Sequence, residues 1–145
     1  MLQFSYLVEE TATHLKTHLR TYFSLPSAER VALHRAWVLI LISKSLVPVM
    51  SLPRLTSMIE RSKPAGAQTI SPRRLAELVD IAGHRTFGST CLHRALALLV
   101  LLRRQSSPAR LAIGVNQTSG FAAHAWVEAD DSAEGGYARL WEYQL

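Results

Sequence analysis

The hydrophobic period of this chain changes once, and the change splits it into a helical part and a sheet part. Up to Pro108 apolar residues recur every three or four positions, and beyond it they alternate. In ARLAIGVN, Leu111, Ile113 and Val115 alternate with Arg110, Ala112 and Gly114. In FAAHAWVEA, His124, Trp126 and Glu128 alternate with Ala123, Ala125 and Val127. A third strand, YARLWEYQL, follows the Gly135-Gly136 turn signal. Helices first and strands last predict an α+β fold, with the final segment a small antiparallel meander packed on the helix before it.

The helical part carries its own punctuation. Leu2, Tyr6, Leu7, Leu15, Leu19, Tyr22 and Phe23 predict a first helix over 1–24, ending near Pro26. His14 and His18 lie four apart on it, but no third ligand is near, so they read as a solvated face. Ser27 is the expected N-cap of a second helix whose apolar body is Val31, Leu33, Trp37, Val38, Ile40 and Leu41, closed by Pro48. A short helix over 52–61 follows. The stretch RSKPAGAQTISP then has linker composition, separating an N-terminal helical region (1–60) from a core (71–145) within one compact unit. Ser71 and Pro72 start another helix that stops at Gly83. Last comes CLHRALALLVLLRR, with Leu92, Ala95, Leu96, Leu99 and Leu102 on one face and Arg103 and Arg104 at the negative end of its dipole.

Composition narrows the class. With 145 residues and 48% hydrophobic content the chain can bury a core without staples. The single cysteine, Cys91, excludes an internal disulfide or a thiolate-rich zinc site and points to a reducing compartment. The longest apolar run, WVLILIS, is bounded by His34, Arg35 and Lys44, too short for a membrane span. MLQFSYLVEE has no basic region before an apolar one, so the expected location is cytoplasmic. The net charge is +5, concentrated in the middle of the chain, while 111–145 holds one basic and five acidic residues. Three Trp, four Tyr and four Phe do not interleave with the arginines, so the basic middle suits an acidic protein partner better than nucleic acid.

Cys91 opens a helix directly after Gly88, Ser89 and Thr90, where unbonded N–H groups and the positive dipole end favour a thiolate over a thiol. A thiolate nucleophile needs a base, and His124, on a strand beside Trp126, is the candidate. The imidazole needs an acceptor in turn. If the last two strands pair about a turn at 132–134, Glu142 faces His124; Asp130 and Asp131, in the hairpin loop, are the alternatives. The backbone N–H of Cys91 is one oxyanion donor, and a second cannot be named from the sequence. His84 and His93 flank the cysteine and read as surface.

The order STCLHRALALLVLLRR, SPARLAIGV, GFAAHAWVEAD resembles the leader-peptidase family of lasso-peptide biosynthesis, the stand-alone protease half of a processing protein, within the transglutaminase-like cysteine proteases. AERVALHRAWVLILISKSLVPV resembles its helical lead-in. The resemblance implies a papain-like core with Cys91 as nucleophile and His124 as base, and removal of a leader from a ribosomally made precursor. It also implies a separate leader-recognition protein and a cyclase as partners. The family's acid is an Asp in the strand after the His, which this chain lacks there, so Glu142, Asp131 and Asp130 all stay open. No metal or other cofactor is required by such a mechanism. Two other readings keep their place: a transglutaminase-like acyl transferase, and a non-catalytic adaptor for an acidic protein.

Overall fold

The computed structural model describes residues 22, 24–66, 70–116, 122–129 and 138–144. Four helices precede three strands: α1 (Ser27–Leu46), α2 (Leu52–Arg61), α3 (Pro72–His84), α4 (Cys91–Arg104), β1 (Arg110–Asn116), β2 (Ala122–Glu128) and β3 (Ala138–Gln144). This is the α+β arrangement expected from the change of period. The helix expected over 1–24, with His14 and His18, lies almost wholly outside the described residues, as do Asp130 and Asp131.

The helix starts follow local chemistry. Ser71 caps α3, its hydroxyl accepting from the Arg74 N–H at 3.3 Å, with Pro72 in the first turn where a missing N–H costs nothing. α1 begins one residue earlier than expected: Pro26 is the cap and Ser27 is already helical. Its faces also differ from expectation. Ala32, Ala36 and Ile40 are buried, whereas Val31, Trp37, Val38 and Leu41 are exposed. Small residues four apart let α1 approach α3 and α4 closely, so the bulky side chains lie outward. Arg74 donates to Glu29 from Nε at 3.1 Å and Nη2 at 2.7 Å, tying α3 to α1.

α4 lies at the centre, packed by α1, α3 and α2 and by β1 and β2. Ile40, Leu75, Leu78, Leu99, Leu102 and Leu111 are the largest fully buried apolar side chains. Replacing Leu99 with Ala would leave a cavity among them; a loss of about 2–5 kcal/mol is expected from urea unfolding. The segment before α3 is held to the end of α4. Ala65 donates its N–H to the Arg104 carbonyl at 2.8 Å, and the Gln105 amide exchanges two hydrogen bonds with the backbone of Ile70.

The sheet is antiparallel, but it is not a meander. Its order is β2-β1-β3, so β1 is central and pairs on both sides. Against β2, Ala112 faces Trp126 and Gly114 faces His124; against β3, Ala112 faces Glu142. A bulge follows Ile113, where Leu140 is the extra residue of β3. The physical reason is that only β1 is uncharged between its ends, with Leu111, Ala112, Gly114 and Val115 all buried, whereas β2 and β3 carry charged or titratable residues mid-strand. Tyr143 on β3 donates its hydroxyl to Glu60 Oε2 at 2.8 Å, fastening the sheet to the end of α2.

Candidate active site

Cys91 is the first residue of α4, half-buried against the core, as its place in the sequence predicted. The loop before it is shaped by short-range bonds. Thr86 is buried, donating its hydroxyl to the Ala82 carbonyl at 2.9 Å, and the Ser89 N–H reaches back to the Thr86 carbonyl at 3.1 Å. Gly88 sits at φ 68°, the left-handed region that favours glycine. Lys44 of α1 donates to the Phe87 carbonyl, clamping the loop from above.

The cap of α4 corrects the surface role expected for His93. Thr90 is the N-cap, and its N–H donates to His93 Nδ1 at 3.1 Å while its side chain receives the His93 N–H, a capping box closed by an imidazole. Helix geometry then leaves the N–H groups of Cys91 and Leu92, at the start of α4, without intrahelical acceptors. Burial, with the Lys44 charge adding to it, holds the His93 imidazole below its ordinary value. Because the unfolded chain then binds the proton more readily, the stability this ring contributes is complete above about pH 6.5 and is lost as the pH falls further. His93→Ala should cost about 1 kcal/mol and His93→Gln should restore most of it, since Gln suits that position of a capping box. Melting temperatures from pH 8 to 5 should fall more steeply for the wild type than for His93→Gln.

His124 lies on β2 in a row with Trp126 and Glu128, the shared face expected from alternation. The rings of His124 and Trp126 stack with centroids 5.9 Å apart and planes 14° from parallel. Trp126 is buried and donates its Nε1–H to Glu128 Oε1 at 3.0 Å. Glu128 thus fixes the indole, and the indole backs the imidazole. The sequence pattern placed these three on one face but did not reveal this chain of support.

One cleft of about 340 Å³ is lined by both groups. It lies between α3, α4 and β2, and its lining includes Cys91, His124, Trp126, Asp80, Arg94 and Leu98. Because β2 ends the strand order, residues of both its faces reach the opening. Asp80 and Arg94 were not singled out from the sequence; they lie far from each other in the chain and meet only through helix packing.

Glu142 is not brought to this cleft. Its register partner is Ala112, and its carboxylate pairs with Arg110 Nε at 3.1 Å. β1 stands between it and His124, a separation of about 10 Å or more at normal strand spacing. The facing position expected for Glu142 required β2 and β3 to be neighbours, and they are not. His84 is exposed, its Nδ1 2.8 Å from the Asp80 carbonyl. Among the described residues no three His, Cys, Asp or Glu side chains gather as a metal site, and none of the helices is long and apolar enough to cross a membrane.

The sequence profile of the transglutaminase-like superfamily matches residues 30–144, which take in all of the cleft. The chain belongs to the transglutaminase-like superfamily. Its members are usually catalytic, as cysteine proteases or acyltransferases. No curated protein and no solved structure matches the chain.

Proposed function

We propose that this transglutaminase-like protein is a cysteine peptidase that removes the leader from a ribosomally made lasso-peptide precursor. The observation that carries the reading is the cleft shared by Cys91 at a helix start and His124 on the edge strand. The leader resemblance rests on the C-L-x-R-A and H-A-W-V-E signatures, here Cys91–Ala95 and His124–Glu128.

In this mechanism the Cys91 sulfur attacks the carbonyl carbon that ends the leader, and the N–H groups of Cys91 and Leu92 receive the developing oxyanion. His124 gives its proton to the departing amine, leaving the leader as a thioester on Cys91. It then takes a proton from water as that water attacks the thioester, which frees the leader carboxylate and restores the thiolate–imidazolium pair. Trp126 holds the ring in place and limits water on one side of it. The acid that would steady the imidazolium stays open between Asp130 and Asp131, which follow β2 in the sequence and lie outside the described residues. A separate recognition protein presents the leader, and a cyclase receives the freed amine.

The test is to incubate the chain with a candidate precursor, with and without a leader-binding protein, and read fragment masses. A leader fragment with a free carboxylate supports hydrolysis. A leader joined to an added amine supports the acyl-transfer reading, which the superfamily match equally accommodates. An intact precursor under all conditions overturns both.

A further inference from the structure

Arg94 follows Cys91 by one turn of α4, on the same side of the helix, and lines the same cleft. Its stem lies across Gly83 of α3. A Cβ at Gly83 would fall 2.3 Å from Arg94 Cδ and 2.7 Å from Cγ, so only glycine leaves the stem this path. Gly83 is not the helix stop expected from the sequence; it is buried and helical, and α3 runs on to His84. Glycine is a poor helix former compared with alanine. The room it makes for Arg94 is the compensating feature.

The guanidinium so placed is poorly used within the described protein. It has five N–H donors. Nε is buried without a partner. Its ion pair is a loose one, Nη1 to Asp80 Oδ1 at 3.5 Å, with the Asp80 side chain 62% exposed. Such an exposed, long contact holds weakly and yields to a better-placed carboxylate. Asp80 also shows that a carboxylate can reach the guanidinium within the cleft.

We propose that Arg94 is the specificity-determining residue of the cleft, a seat for a carboxylate on the peptide substrate in place of Asp80. The proposal rests on the peptidase reading and adds the chemistry of the substrate. Side chains three apart on one helix face lie about 5–6 Å from each other, and an extended peptide advances about 3.3 Å per residue. The acidic residue therefore lies within about two positions of the bond offered to Cys91.

Two measurements test it. The first needs no peptidase activity. Cys91 is the chain's single cysteine, so its alkylation can be timed with iodoacetate and with the neutral isostere iodoacetamide. The ratio of the two rates should fall about tenfold in Arg94→Gln, stay near wild type in Arg94→Lys, and fall in Gly83→Ala, where the charge is kept but displaced. Equal ratios in wild type and Arg94→Gln overturn the seat. If Arg94→Gln does not fold, Gly83→Ala carries the comparison, and an unchanged ratio there overturns it. The second measurement compares matched peptides with Asp or Asn beside the cleaved bond. Arg94→Gln should raise KM at least ten times more for the Asp peptide than for the Asn one, and an equal effect on both overturns the proposal. Rate ratios that shift as expected while no peptide is cut would retain the seat and remove the peptidase reading.

Discussion

Replacing Cys91 with Ala is expected to lower peptide cleavage by about a millionfold, the size of effect seen when a covalent nucleophile is deleted. Nothing else in the cleft replaces a sulfur at the start of α4. The fold should be little changed: Cys91 is half-buried at the edge of the core, not among its fully buried side chains. The measurement pairs single-turnover cleavage, read by fragment mass, with a urea melt of the same preparation. A folded Cys91→Ala protein that still cuts at more than a thousandth of the wild-type rate would remove the acyl-enzyme mechanism.

The second large effect is at His124. Its replacement by Ala removes the group that takes and returns a proton in both halves of the cycle, and a loss of about 10²–10⁴ in kcat is expected. Trp126 would also lose its stacking neighbour, although its bond to Glu128 remains to hold it. Measuring kcat and KM separately distinguishes the two roles. A proton-transfer residue lowers kcat, whereas a residue that only shapes the cleft changes KM.

Local signals in the sequence read well where the physics is local. The Ser71-Pro72 start of α3, the Cys91 start of α4 and the bounds of α2 all follow from caps, prolines and spacing within a few residues. The shared face of His124 and Trp126 follows from the period of two. Strand order does not, because alternation says which residues share a face and nothing about which strand is the neighbour. The absence of charge between the ends of β1 was the available sign of a central strand. Similarly, apolar bulk on α1 looked like a core face, but close packing selected the small residues Ala32 and Ala36. His93 looked like a surface residue because an imidazole is an unusual third member of a capping box. The meeting of Arg94 with Gly83 and Asp80 depends on two helices lying side by side, and no single stretch of sequence records it.

The strand order also governs how the molecule comes apart. Cys91 and His124, with the strand that lies between them in the chain, occupy residues 91–128, while β3 is added on the far side of β1 and fastened by Tyr143 to Glu60. Partial opening can therefore peel β3 away and leave the pair of chemical groups assembled. Amide hydrogens that bond β1 to β3 should exchange with deuterium under milder conditions than those that bond β1 to β2. The segment that carries Cys91 and His124 then keeps its arrangement without β3.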